Sequence, residues 1–252
     1  LQATQHTPPR SAQAPQLLIA GATGALGNEV LRRLVGTQRF ALTRVTAKHA
    51  VKLGFSGVDT AQAATENIAD WPLVAADVGV VLFDPPRMFY ERERALWTPQ
   101  PAQLPDLAAW MRRCGVHTLA VVLPHAQGQL PEALKRGLAT LDEQAVAAVG
   151  FERLLIVRSA EKAPPRPAAQ STSDRQHALA AWMLATLRYM VPSSEQPVRA
   201  SKVAELVDAA LHQLLKAQRT GTFVAAPELV WRATQQPVAP LVAQWLAESG
   251  HG

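Results

Sequence analysis

Three glycines, Gly21, Gly24 and Gly27, follow directly on the apolar run 17–20, and an apolar stripe at Leu26, Val30 and Leu34 begins among them. That stripe has the i, i+4, i+8 spacing of a helix laid on a sheet. A strand, a glycine turn and a helix start in this register make an anion cradle. Glycine permits the tight turn and a close approach to the backbone, while the helix N-terminus offers free N–H groups and a partial positive charge. The loop that would form the cradle is Gly21-Ala22-Thr23-Gly24-Ala25-Leu26-Gly27. A plain turn is the simpler alternative for any glycine triplet; here the flanking strand and helix favour the cradle. The reading requires those amides to be bare, since side chains plugging them would leave only the architecture.

A second strand ending in a carboxylate would hold the ribose 2′-hydroxyl of NAD. The sequence has no Asp or Glu between Glu29 and Asp59 and carries Lys48, His49 and Lys52 there instead. A lysine at that place can hold the 2′-phosphate of NADP by a charge-assisted hydrogen bond. The expected cofactor is therefore NADP rather than NAD, with Lys48 as the added binding residue. A solvated loop of Lys and His is the other reading, and no cofactor at all stays open.

The elements that must position such a site alternate along the chain. Short apolar runs at 17–20, 41–47, 78–83, 117–123 and 153–157 read as strands, with a weaker one at 53–58 that contains two glycines. Helical patterns cover 26–35, 105–114, 131–149, 174–189 and 201–215, the last with Ser201 as a candidate N-cap. The expected fold is α/β, a doubly wound parallel sheet of Rossmann type flanked by helices, with a small C-terminal helical portion. Residues 1–16 are polar, contain prolines and read as a flexible arm. Residues 17–252 read as one domain, with substrate-side or partner-side elements from about 160. Within these, 162–174 is a Pro/Ser/Ala-rich surface loop, either a substrate lid or a plain connection.

Composition bounds the rest. The chain has 252 residues, 48% hydrophobic and 18% charged, enough for a sizeable core and unlike a disordered chain. Its net charge of +5 sits in the first sixty residues, where Arg10, Arg32, Arg33, Arg39, Arg44, Lys48 and Lys52 face only Glu29 and Asp59. Seven less two equals the net charge of the whole chain, and a positive field near the glycine loop suits an anionic cofactor. No Lys/Arg run interleaved with aromatics is present, so nucleic acid is not the expected partner. No apolar stretch is long enough for a bilayer span and the N-terminus lacks the order of a secretory signal, which points to a soluble, cytoplasmic protein. The single cysteine, Cys114, excludes an intrachain disulfide and reads as a packing residue.

Other chemistry-bearing residues carry less. His125 lies at a strand's carboxyl end and is either a proton donor or a surface histidine. Arg158 is either an anion clamp or an ion-pair member. Asp142 and Glu143 would point about 100° apart on a helix, which excludes joint acid–base work. Six tryptophans, Trp71, Trp97, Trp110, Trp182, Trp231 and Trp245, have no period and read as core or interface. No metal-ligand spacing occurs, so no metal is expected.

From 17 to about 157 the order of elements resembles the atypical short-chain dehydrogenase/reductase group, which includes NmrA-type regulators and small NAD(P)H-binding proteins. The residues that carry the likeness are the loop 21–27, GATGALG, then 143–158, EQAVAAVGFERLLIVR, and 197–204, PVRASKVA. Ser159 stands where the family's sixth strand is followed by proline. The resemblance implies a dinucleotide cofactor held at Gly21, Thr23, Gly24, Ala25, Leu26 and Gly27, with Thr23 and the backbone from Gly24 to Leu26 lining the pyrophosphate and Gly27 letting the helix pack closely on the strand. It also implies, in active members, a Tyr-x-x-x-Lys pair whose lysine lowers the tyrosine pKa. This chain has only Tyr90, followed by Arg94, and Tyr189, followed by Ser193. In the resembling helix the pair would fall at Lys135 and Ala139. The fifth strand ends Leu123-Pro124-His125 without the family's serine, and Asp84-Pro85-Pro86 follows the fourth, where each proline removes a backbone donor.

No residue is assigned a catalytic role. The expectation is an NADP(H)-binding short-chain-dehydrogenase-like protein without the catalytic pair, acting as a redox sensor or regulatory scaffold with a small-molecule or protein partner. The alternatives are an NADPH-dependent reductase or isomerase using other groups, His125 among them, and a cofactor-free interaction scaffold.

Overall fold

The computed structural model describes residues 14–63, 65–87, 90–123, 143–158 and 200–249. Its strands are β1 (Gln16–Ala20), β2 (Leu42–Ala47), β3 (Val58–Gln62), β4 (Val78–Val81), β5 (Thr118–Leu123), β6 (Arg153–Arg158) and β7 (Gly221–Ala225). They form one sheet in the order β3-β2-β1-β4-β5-β6-β7, and every pairing is parallel. The chain runs outward from β1 to β3, then crosses back to β4 on β1's other side. This is the doubly wound Rossmann arrangement, and its switch point lies at the carboxyl ends of β1 and β4.

The helices are α1 (Gly24–Gly36), α2 (Glu91–Ala95), α3 (Leu104–Arg113), α4 (Ala200–Ala217), α5 (Pro227–Gln235) and α6 (Val238–Glu248), with residues 143–148 also helical. Alternate strand residues feed two cores. Leu17, Ile19, Val78 and Val80 join α1, α4, α5 and α6 on one face, while Leu18, Ala20 and Val81 join α3, Trp71 and Trp110 on the other. β1, β4, β5 and β6 are apolar along most of their length because both faces are covered, whereas the edge strands β3 and β7 carry exposed residues. Arg33 and Arg39 meet Asp208 of α4 at 3.4 Å and 2.7 Å, tying the last turn of α1 and the turn beyond it to α4.

Two strand readings need correction. The third strand lies at Val58–Gln62 rather than 53–58, because Gly54 and Gly57 adopt φ of 76° and 72° and form the turn before it. β1 starts at Gln16, within the span read as an arm; the Gln16 amide donates to Asp77 at 2.8 Å. β7, the short helix α2 and the two helices after β7 have no counterpart in the strands and helices enumerated from the sequence. The helical readings at 174–189 and over most of 131–149, and the loop 162–174, lie outside the described residues.

Leu34 is 1% exposed in the core shared by α1 and α4. Leu34→Ala should cost about 2–4 kcal/mol, read as a lower urea midpoint with an unchanged m-value; a loss below about 0.5 kcal/mol would show that α1 is not anchored there.

Candidate functional site

β1 delivers the chain to the loop at the switch point. Gly21 and Gly24 have φ of 80° and 68°, where an L side chain is strained. A side chain at Gly21 would meet the Leu82 carbonyl, and one at Gly24 would lie 2.6 Å from Asp84 Cβ and 2.9 Å from the Pro85 carbonyl oxygen. The backbone that approaches the loop closely is thus the chain's own segment after β4. Thr23, fully buried, is the N-cap of α1 by position but makes no side-chain cap bond. Its hydroxyl donates to the Asp84 carbonyl at 2.6 Å and lies 2.8 Å from the Thr98 hydroxyl.

α1 also has no acidic residue in its first turn. Its free amides are met from far along the chain. The Gly24 amide donates to Glu93 Oε2 at 2.9 Å, and the Leu26 amide donates to Asp84 Oδ2 at 2.9 Å. Two of the amides expected to grip a diphosphate therefore hold carboxylates instead, so the bare amides that the dinucleotide reading requires are not what the structure has. Glu93, its side chain 4% exposed, also accepts from Asn28 Nδ2 at 2.8 Å, from the Arg87 amide at 2.9 Å and from Arg87 Nε at 2.7 Å. Arg87 Nη2 adds a further bond to the same carboxylate. The guanidinium rests 3.9 Å from the centre of the Tyr90 ring, a cation–π contact.

The segment that carries Glu93 lies across the end of β2. The Lys48 amide donates to the Ala95 carbonyl at 2.8 Å, the Trp97 amide donates to Thr46 at 3.0 Å, and Ala47 and Leu96 form an antiparallel bridge. Trp97 packs edge-on to Trp71, with ring centres 4.6 Å apart. Lys48 is exposed at the carboxyl end of β2, with His49 and Lys52 exposed after it. The donor chemistry at the loop fits a diphosphate, but the room for one is taken by Glu93 and Asp84, which a dinucleotide would have to displace.

Of the arginines counted toward a positive field, Arg32 pairs with Glu29, and Arg33 and Arg39 pair with Asp208 at the far end of α1 from the loop. Arg44 is bound to Gln16 and the Ala75 carbonyl. Arg87 is the arginine bonded within the loop's anion site, and the sequence reading had not weighed it. Arg158 is an ion-pair member, held by Glu143 at 2.9 Å and 2.6 Å. Cys114 is buried, and burial raises its thiol pKa, as suits a packing residue. His125, Lys135, Ala139, Asp142, Trp182 and Tyr189 lie outside the described residues. Among the described residues no His, Cys, Asp and Glu cluster could hold a metal, and no helix is long and apolar enough to cross a membrane.

Burial pushes the Glu93 carboxyl up, but the Arg87 guanidinium and the amides of Arg87 and Gly24 outweigh it and hold the group below the usual glutamate range. Burial raises Asp84, and the Leu26 amide offsets part of that rise. Neither acid stood out as a site residue in the sequence. One signal was available: residues 21–28 hold no acid, so α1 opens without a carboxylate of its own near its free amides.

Strand order, switch point and glycine turn together define a Rossmann-type α/β domain. No family model and no curated protein matches the chain. Among solved structures it is similar to a Rossmann-fold NAD(P)-binding family protein from Shigella flexneri, at 18% identity over 80% of this chain and 88% of that one, with a TM-score of 0.45. A nucleoside-diphosphate-sugar epimerase from Staphylococcus aureus is 12% identical, with 91% and 88% covered and a TM-score of 0.49. A UDP-glucose 4-epimerase from Brucella ovis, in complex with NAD, is 15% identical, with 84% and 77% covered and a TM-score of 0.44. The fold class rests on the chain's own strand order.

Gly24→Ala should lower stability by roughly 2–4 kcal/mol, from left-handed strain plus overlap with the 84–85 backbone; chemical denaturation reads it, and a neutral outcome would mean the loop is not packed as described. Glu93, with its folded pKa depressed, contributes stability that is present above the ordinary glutamate pKa and lost as pH falls through the folded value. Asp84 has the opposite sign, its ionised form being disfavoured as pH rises through its raised value. Glu93→Gln should therefore cost about 1–3 kcal/mol near neutrality, and its deficit should narrow as pH falls below the ordinary glutamate pKa of about 4.3 toward the folded value. A deficit that stays constant across that range, followed by urea denaturation, would contradict the assignment.

Proposed function

We propose that this chain is an NADP(H)-binding protein of Rossmann type that does not carry out short-chain dehydrogenase chemistry and serves as a redox sensor or regulatory scaffold in the cytoplasm. The observation that supports it is the anion cradle itself: amides at the start of α1, at the switch point of the sheet, aimed at carboxylate oxygens where a diphosphate would lie. The residues that would hold the cofactor are Gly21, Thr23, Gly24, Ala25, Leu26 and Gly27, with Lys48 toward a 2′-phosphate. β2 ends in Ala47, without the acid that would select NAD. The missing Tyr-x-x-x-Lys pair argues against carbonyl reduction by the usual route. When bound, the cofactor would supply a redox-dependent ligand, and the chain's residues would bind and orient it.

A second reading, the cofactor-free scaffold, is favoured by the two carboxylates already seated on the amides. Calorimetry and tryptophan fluorescence with NADPH and NADH separate the two, Trp97 lying on the segment that must move. The dinucleotide reading expects saturable binding, tighter for NADPH by at least about ten-fold, and loss of that preference in Lys48→Ala. Absence of binding by either nucleotide leaves the scaffold, and steady NADPH oxidation over a panel of carbonyl compounds would make the protein an enzyme.

A further inference from the structure

We infer that the donors around Glu93 form a phosphate site in which the chain's own carboxylate stands in for the ligand, and that Arg87 is the binding residue that passes from Glu93 to an incoming phosphoryl group. The identity of that ligand as a dinucleotide rests on the function proposed above; the phosphate site itself does not.

Five N–H donors converge on one carboxylate. Gly24 and Arg87 each give a backbone amide, Asn28 gives its side-chain amide, and the Arg87 guanidinium gives two more. They come from the start of α1, from its next turn and from the segment after β4, three places that the sheet brings together. In α2 the neighbours Glu91, Arg92 and Arg94 are exposed, and Glu93 alone of these charged residues is turned inward.

Two of the donors are placed independently of Glu93: Gly24 is fixed by the turn from β1, and Asn28 also donates to the Gly24 carbonyl at 2.7 Å. Arg87 rests on the ring of Tyr90, the residue just before α2, with 42% of its side chain open to solvent. A guanidinium fork with adjacent amides suits a phosphoryl group, whose several oxygens and higher charge satisfy the same donors more fully than a carboxylate. What opposes exchange is the attachment of the segment that bears Glu93. The bonds from Lys48 to Ala95 and from Trp97 to Thr46, and the Thr23–Thr98 hydroxyl contact, hold it in place. Affinity for an outside anion is then reduced by the fraction of time the segment stays down.

Titration calorimetry with inorganic pyrophosphate, and separately with NADPH, on the full chain tests this in the wild type, Glu93→Ala, Glu93→Gln and the double variant Glu93→Ala/Arg87→Ala. Glu93→Ala should bind pyrophosphate at least about ten-fold tighter than the wild type, Glu93→Gln should gain less, and the double variant should lose the gain. A Glu93→Ala protein with native circular dichroism and no gain for pyrophosphate overturns the inference. If that variant does not fold, Glu93→Gln decides by the same titration. If neither folds, trypsin cleavage at Arg92 and Arg94 of the wild type decides: faster cleavage with pyrophosphate supports the exchange, and an unchanged rate overturns it. A pyrophosphate gain with no NADPH binding in any variant keeps the phosphate site and removes the dinucleotide. Equal NADPH binding in all four proteins does the reverse.

Discussion

A helix that begins at the crevice of a parallel sheet presents unpaired amides with a partial positive charge, and when they are shut away from water they need acceptors, with an anion the best suited. Much of the crevice's architecture in this protein answers that one requirement. α1 brings no acid in its first turn and Thr23 turns its hydroxyl elsewhere, so Asp84 and Glu93 come from far along the chain to serve it. Glu93 in turn needs compensation for its burial, which Arg87 and Asn28 provide. The post-β4 segment, the short helix α2 and the bridge to β2 are the means of delivering those groups.

The same contacts explain why cradle and plug cannot be judged separately. A carboxylate and a phosphoryl oxygen ask for the same donors, so evidence that the site holds anions well is also evidence that an intramolecular anion holds it first. The balance is set by tethering, since Glu93 competes at the high effective concentration of a group on the same chain.

The fold was legible in the sequence wherever burial imposed a mostly apolar or β-branched run or a helical stripe. β1, β2, β4, β5, β6, α1, α3 and α4 all fall within a few residues of where the pattern puts them. β3 was shifted because Gly54 and Gly57 belong to the turn and not the strand. β7 escaped as a short edge strand with two of its five residues exposed, and α2 is only five residues long. The glycine loop was legible as a strand–turn–helix junction. What faces it was not. Within ERER no local rule says which glutamate is buried, because that depends on a fold-back over β2, and Arg87 gains its importance only through the same tertiary contact. The charge count misled for a related reason: net charge records no pairing, and Arg33 and Arg39 are committed to Asp208, well away from the loop.

The three loop glycines have a further meaning for heredity. Gly21 is hemmed in by the Leu82 carbonyl, Gly24 by Asp84 and Pro85, and Gly27 by the Gly21–Ala22 backbone, all parts of the same polypeptide. Selection for folding alone would therefore keep the fingerprint through any lineage in which nucleotide affinity decayed. In descendants of this kind the motif marks ancestry and packing, and surveys that count binders by glycine spacing would include chains that retain only the shape.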